Sequence, residues 1–291
     1  MILFPNAKIN LGLCVTGRRP DGYHDLDTIF YPIPLCDSLE VVPIANQQVG
    51  SVDIQLHLLG AEIAGDLNDN LVVRAYRLLK GEFPDLPSVE VWLYKNIPSG
   101  AGLGGGSSDA TFMLLLLNKM FALGLTEERL EALSSTLGAD CPFFVRNVPV
   151  RATGTGNIFS PVSVDLSGFR IVIVKPPVFI STREAFCHID DRISNKATSL
   201  QADMDRLQRS DSFISELANL SNDFEQSVFP LHPELQIIKE TLYRSGAVYA
   251  SMSGSGSAFY GLFADDTPLP VPATFPDCFV WSSSLEKKSV K

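Results

Sequence analysis

The segment Pro98-Ser-Gly-Ala-Gly-Leu-Gly-Gly-Gly-Ser-Ser108 constrains this chain more than any other. Its five glycines and three serines stand directly before Asp109 to Leu123, a run apolar enough to be a buried helix. Glycine lets backbone amides turn toward a ligand at positive φ with no Cβ in the way. The helix start behind it adds N–H groups that have no intrahelical acceptor and the positive end of the helix dipole. Together these predict an anion cradle, most often for phosphate. A flexible Gly/Ser linker is the competing reading, but a tether is not followed at once by a core helix.

Two familiar cradles fail on context. Gly100-Ala-Gly-Leu-Gly-Gly105 satisfies G-x-G-x-x-G, but a dinucleotide fold wants an acidic residue at the tip of a second strand about 20 residues on. The acidic residues found there, Glu127 and Glu128, fall in the first turn of another predicted helix, and Pro98 separates the glycines from the preceding strand. A Walker A loop needs Gly-Lys-Ser/Thr, and no lysine lies between Lys95 and Lys119.

A chain of 291 residues with 45% hydrophobic content suits one large or two modest domains with a packed core. Its net charge of −10 argues against nucleic acid or an anionic membrane as partner. An acidic protein that binds polyphosphate must gather its cations locally, which singles out Lys8 and Lys95. The longest apolar run, Phe112 to Leu117, is far shorter than a membrane span, and the first residues show neither secretory nor transit features. Five cysteines without metal-ligand spacing read as buried free thiols in a reducing cytoplasm.

Along the chain, residues 6–15 alternate with period two, Ile9, Leu11 and Leu13 on one face and Lys8, Asn10 and Gly12 on the other. Alternation alone makes the second face a solvent-exposed polar edge. Gly17 to Gly22 is turn chemistry. Further strands are predicted near 27–35, 38–44, 51–59 and 89–94, with a helix between, capped by Asp69 or Asn70, running to Leu79 and ended by Gly81. Thr126 caps another helix, which Gly138 stops, and Asp140-Cys-Pro-Phe-Phe-Val opens a strand. A second unit begins near Val162, with strands over 169–174, 247–252, 257–263 and 278–282 and helices over 181–190, 199–207, 211–220 and 233–245. The prolines of 265–276 exclude a helix there. Clustered helices between strand-rich halves indicate an α+β protein. Asp140 on its own reads as a turn residue.

Read together, Asn6-Ala-Lys-Ile-Asn-Leu-Gly-Leu13, Gly17-Arg-Arg-Pro-Asp-Gly-Tyr-His24, Asp69-Asn-Leu-Val72, the glycine loop, Leu137-Gly-Ala-Asp-Cys-Pro142, Asn222-Asp-Phe-Glu225 and Ser253-Gly-Ser-Gly256 occur in an order that resembles the GHMP kinases, a family of small-molecule kinases. The segment Gly17 to His24 resembles most closely the branch whose substrate carries a cytidine diphosphate group. The resemblance implies a GHMP kinase fold: an N-terminal domain like the second domain of ribosomal protein S5 over 1–161, then a ferredoxin-like domain over 162–291, with ATP and substrate meeting between them. It implies phosphoryl transfer from ATP with Mg²⁺ to a hydroxyl in a cytoplasmic enzyme, with a small molecule as its partner and no nucleic acid or membrane.

The family's catalytic lysine falls on Lys8 and its catalytic aspartate on Asp140. Asn70, Leu71 and Lys95 fall near the adenine end of ATP, and Pro98, Gly100, Gly102, Leu103, Gly104, Gly105 and Gly106 along its phosphates. Ser107 and Ser108 fall where a phosphate or Mg²⁺ contact is expected, plain N-capping being the alternative. Tyr23 and His24 fall where the cytosine is held, Phe186 where its other face is covered, and Asn10 beside the remainder of the substrate. Two departures stand out: Asn157 replaces a common acidic residue in a 151–157 loop with no assigned role, and the proline-rich 265–276 replaces a helix. Rival readings are a homoserine or mevalonate-type kinase, whose substrates carry no base for Tyr23 and His24, and a non-catalytic sensor, which would have no need of Lys8, Asp140 and the glycines together.

Overall fold

The computed structural model describes residues 1–44, 53–61, 65–186, 189, 217 and 219–286. The described chain divides into two compact units that alternate along the sequence. The first comprises Met1–Ala7, Leu35–Ser99 and Gly104–Val148; the second comprises Lys8–Pro34, Gly100–Leu103 and Pro149–Lys291.

The first unit is built on a sheet of β1 (Ile2–Leu3), β4 (Ser38–Pro43), β6 (Val89–Lys95) and β5 (Ile54–Gly60), in that order. β4 pairs antiparallel with both β1 and β6, and the edge strand β5 runs parallel to β6 with Ile54 opposite Val89. Alternation sorts the strands: Val89, Val91 and Leu93 go into the core while Glu90, Trp92 and Tyr94 face away. Two helices cover the inner face. In α1 (Leu71–Glu82) the buried stripe is Val72, Val73, Tyr76 and Leu79, at helical spacing. In α2 (Gly105–Met120) burial runs almost all round from Ser108 to Leu117, as befits a central helix. Then come α3 (Glu127–Ser135), capped by the Thr126 hydroxyl as expected, and the one-turn α4 (Phe143–Arg146).

The second unit contains two sheets. One has the order β2 (Asn6–Arg18), β3 (His24–Cys36), β7 (Val150–Gly154), β8 (Ile158–Pro161). The other, antiparallel throughout, has the order β10 (Tyr249–Met252), β11 (Phe259–Ala264), β9 (Phe169–Lys175), β12 (Phe279–Ser284). Packed in its core are Phe224 and Val228 of α6 (Asp223–Val228) and Leu235, Ile238 and Leu242 of α7 (Pro233–Arg244). A short α5 (Thr182–Ala185), capped by Ser181, precedes them.

Several expectations need correcting. Helix α2 begins at Gly105, four residues before Asp109, because Gly104 adopts a left-handed N-cap conformation (φ 71°) that needs no capping hydroxyl. Ser107 and Ser108 therefore lie inside the first turns and are not caps. Residues 143–146 form a helical turn where a strand was expected, ended by Asn147 at φ 53°; a short apolar run does not distinguish the two. Gly81 does not stop α1 but sits within it, on an open face where a Cβ would meet nothing. The 151–157 segment is a β7–β8 hairpin whose turn uses Gly154 and Gly156 at positive φ. Helix α6 was not anticipated. Residues 265–276 do form a loop, with one 3₁₀ turn at Pro272–Thr274. The predicted helices over 199–207 and 211–220 fall largely outside the described residues, as does Cys187. Among the described residues no disulfide forms, and of the four cysteines there only Cys141 is buried.

Candidate active site

Residues Gly100–Leu103 of the glycine loop belong to the second unit and are braced within it. Gly102 lies at φ 78°, and a Cβ there would come 1.9 Å from the carbonyl oxygen of Ser253, so only glycine fits. Ser253 Oγ donates to Gly102 O at 2.9 Å, and Ala258 N donates to Ala101 O at 3.1 Å. Lys8 N donates to Leu103 O at 2.9 Å, which ties the loop to strand β2. The Ser253-Gly-Ser-Gly motif thus acts on this loop through main-chain contact.

On the first unit the loop runs into the N-terminus of α2. The N–H groups of Gly105, Gly106 and Ser107 are the helix's first donors, the ones an α-helix leaves without internal acceptors. Ser108 Oγ is buried and has no hydrogen-bond partner. Asn70 caps α1, its Oδ1 accepting from Val72 N at 2.9 Å. The next residue, Leu71, lies beside Gly106: a Cβ added there would sit 3.7 Å from the Leu71 side chain. The Asp140 turn is held against the same helix, because Thr111 Oγ1 donates to Cys141 O at 2.8 Å. Burial pushes the Cys141 thiol up to about 11, so it stays protonated beside Asp140. Asp140 itself is half-buried.

Lys95 has a different surrounding from the one its position suggested. Its buried ammonium donates to Asp37 Oδ2 and, at 2.5 Å, to Asp109 Oδ2. Asp37 Oδ1 accepts from Asn96 N (2.6 Å) and Ile97 N (2.8 Å). The cluster therefore joins the exit of β6 to the start of α2, the two stems of the glycine loop. Two carboxylates in one apolar site do not both stay ionised cheaply. Burial, opposed by Lys95 and assisted by Asp37, pushes the Asp109 carboxyl up to about 8. Asp109 thus holds its proton far more readily than an exposed aspartate does.

In the second unit the polar face of β2 is not the solvent-exposed edge that alternation suggested: Lys8 and Asn10 are 3% and 2% exposed. Lys8 Nζ donates to Asn10 Oδ1 at 2.7 Å and lies 4.6 Å from the centroid of the Phe30 ring. Asn10 Nδ2 donates to Thr28 Oγ1 at 3.0 Å, and Tyr260 Oη donates to Asn10 O at 2.6 Å. The turn after β2 closes with Arg19 N donating to Tyr23 O (2.7 Å), and Tyr23 N donates to Asp21 Oδ1, which holds that carboxyl below its usual range. Tyr23 is left 67% exposed. His24 stacks on Phe186 with ring centroids 4.6 Å apart, and Phe186 meets Phe224 edge-on at 4.8 Å. Beside them Arg151 makes a two-pronged pair with buried Asp27, at 2.8 and 2.7 Å, locking β7 to β3.

Thus Asn70, Leu71, Gly104–Ser108 and the Asp140 turn come together in the first unit, and Lys8 with Asn10, and His24 with Phe186, in the second. Sequence reasoning passed over Thr28, Asp37, Asp109 and Tyr260. Only Asp109 carries a local signal, being the sole charge from Gly105 to Asn118.

A glycine-rich loop runs into the start of a central helix, the pattern from which the sequence resemblance was drawn, and comparison with known proteins gives the same family. The family model described as the GHMP kinases N terminal domain matches residues 70–147, the one described as GHMP kinases C terminal matches residues 198–270, and the chain belongs to the GHMP kinase family. Its α+β architecture is the one that the sequence resemblance implied. A curated relative from Bacteroides thetaiotaomicron, a 4-diphosphocytidyl-2-C-methyl-D-erythritol kinase, is 54% identical over 272 residues, covering 93% of this chain and 94% of that protein. A solved 4-(cytidine 5'-diphospho)-2C-methyl-D-erythritol kinase matches 99% of this chain and 100% of its own, with TM-score 0.79 and 31% identity. A homoserine kinase from Cytophaga hutchinsonii, at 13% identity and TM-score 0.69 over 98% of this chain and 94% of its own, shares the fold.

Proposed function

We propose that this chain is an ATP-dependent kinase that phosphorylates the 2-hydroxyl of 4-diphosphocytidyl-2-C-methyl-D-erythritol, a step of non-mevalonate isoprenoid synthesis. The observation that carries this is the near end-to-end match, at 54% identity, to a curated kinase of that name. The likeness to homoserine kinase, at 13% identity, is one of fold alone.

Phosphoryl transfer needs positioning and charge stabilisation more than covalent help. Asp140 accepts the proton of the 2-hydroxyl as its oxygen bonds to the γ-phosphorus and the bond to the β–γ bridging oxygen breaks, releasing ADP. Lys8 steadies charge on the transferred group. The amides that open α2 take phosphate oxygens, with Gly100, Gly102, Leu103 and Gly104 shaping the approach. Asn70, Leu71 and Pro98 frame the nucleotide, and Lys95 serves it through the main chain, its ammonium being held by Asp37 and Asp109.

For Mg²⁺ the available donors are hard oxygens, Ser107 and the unpartnered Ser108 Oγ. Among the described residues no cluster of three or more His, Cys, Asp or Glu is arranged to hold a metal. Bound there, Mg²⁺ supplies neutralising charge to the β- and γ-phosphates. At the other end Tyr23 offers a ring face to the cytosine, His24 a directional hydrogen bond, Phe186 a cover, and Asn10 a contact to the methylerythritol part.

The division into domains at 161/162 is supported by the two family matches, which fall on either side of it. A cytoplasmic setting, with a small-molecule substrate and neither nucleic acid nor membrane as partner, fits the acidic composition. Among the described residues no helix is long and apolar enough to cross a membrane.

A coupled assay of ADP release with the cytidine substrate, homoserine or mevalonate tests the reading; release that follows homoserine or mevalonate would overturn it. The paired substitutions Tyr23→Ala and His24→Ala should raise KM for the cytidine substrate, on the ~1–3 kcal/mol scale of base stacking, and leave ATP affinity nearly unchanged. Preference for cytidine over a uridine analogue should fall with them, since the wrong base leaves a polar group unpaired.

A further inference from the structure

We infer that Thr28 is a positioning residue for the reaction: through Asn10 it fixes the direction in which the Lys8 ammonium points. The inference rests on the role proposed above for Lys8.

A threonine hydroxyl has one proton to give and lone pairs to receive. At Thr28 the proton goes to Gly12 O, 2.5 Å away. Gly12 lies within β2 at φ 62°, a conformation that a side chain would penalise, and its carbonyl is the one that takes the proton. Its proton spent, Thr28 Oγ1 serves its other neighbour only as an acceptor. That neighbour is the Asn10 amide, whose Nδ2 donates to it at 3.0 Å.

One end of the amide being fixed as the donor, the other end is fixed as the acceptor, and it is Oδ1 that receives Lys8 Nζ at 2.7 Å. Turning the amide over would set an N–H₂ group against an ammonium and a carbonyl oxygen against a hydroxyl with no proton left. Both hydrogen bonds would be lost where Thr28 and Asn10 are 1% and 2% exposed, so water could not replace them. The main chain is pinned as well, by Tyr260 Oη on Asn10 O. Phe30, two residues along the same face of β3 as Thr28, sets its ring against the Lys8 ammonium. Lys8 is thus directed by a sequence of groups, each with its polarity imposed by the one before.

The test is steady-state kinetics on the full chain with Thr28→Val, Thr28→Ser and Lys8→Met. Valine keeps the shape and removes both hydrogen bonds; it should lower kcat roughly 10–100-fold, the scale of a small misplacement of a catalytic group, with KM for ATP within about twofold. Serine restores the hydroxyl and should return kcat to within about threefold of wild type. In an Asn10→Asp background the valine penalty should shrink at least about tenfold, because a carboxylate presents oxygen to Lys8 whichever way it turns. A purely structural threonine would show no such coupling.

If Thr28→Val leaves kcat within about twofold of wild type while Lys8→Met abolishes turnover, the inference fails and the reading of Lys8 stands. An equal valine penalty in both backgrounds also overturns it. If Lys8→Met retains turnover, the failure lies in the reading of Lys8. Should the valine variant not fold, Thr28→Cys, a weak donor and weak acceptor of similar volume, is judged by the same criteria.

Discussion

Two lysines of this chain are almost equally buried, and their surroundings differ in kind. Lys95 gives its ammonium to two carboxylates of its own unit, Asp37 and Asp109, and joins the stems of the glycine loop. Among the contacts of Lys8 are an amide oxygen, Asn10 Oδ1 at 2.7 Å, and the face of the Phe30 ring. A lysine whose charge is met by two buried carboxyl groups of its own unit has little field left for a substrate. Burial alone therefore does not tell the two lysines apart; the groups around each do.

The largest effect should come from the reacting end. Lys8→Met, or Asp140→Asn with substrate binding kept, should lower kcat by roughly 10²–10⁴, the range for losing a positioned acid–base group. Near-wild-type single-turnover rates in both would break the comparison.

Lys95→Met should act on the fold instead. Removing one partner of a buried pair costs about 3–5 kcal/mol, because a charge is left uncompensated. Thermal unfolding should show a marked drop in Tm, while kcat of the folded fraction falls far less than in Lys8→Met. A kcat loss matching that of Lys8→Met would make both lysines catalytic and erase the distinction.

The third effect is a dependence on pH. The Asp109 carboxyl, raised from its ordinary range to about 8 in the folded protein, binds a proton there that the unfolded chain releases near pH 4. Its contribution to stability is complete below about pH 4 and is lost as pH rises toward about 8. Asp109→Asn, which cannot ionise, should flatten Tm against pH across that window. An unchanged slope would show that Asp109 is ionised throughout.

The same two lysines show how far the sequence could be read. Strands announced themselves by alternation, as in Val89–Lys95, and α3 by its threonine cap, because those signals lie in neighbouring residues. The polar face of β2 misled, because period two says which residues share a face but not whether solvent meets it. The start of α2 was hidden because a left-handed glycine, with no side chain to signal a cap, stands at its N-cap. Around the site, Lys8 and Lys95 both stood out as scarce cations in an acidic chain. What separates them lies 20 residues away for Thr28 and 58 for Asp37, in pairings that only the assembled sheet creates. The left-handed glycines and the Asn70 cap were legible because their motifs carry their own geometry, whereas Asp140 was singled out only by the family resemblance.

The Asp37 carboxylate has one further consequence, in hydrogen exchange. It captures the amides of Asn96 and Ile97 just before the glycine loop, so those protons are guarded by a buried anion at a place where strand pairing has ended. They should exchange with deuterium as slowly as the core of the sheet. Ten residues on, the amides of Gly105, Gly106 and Ser107 have no partner within their helix and should exchange quickly until a phosphate covers them. The loop would then carry its own clock: slow amides at one stem report that the fold is intact, and fast ones at the other slow down only when nucleotide arrives.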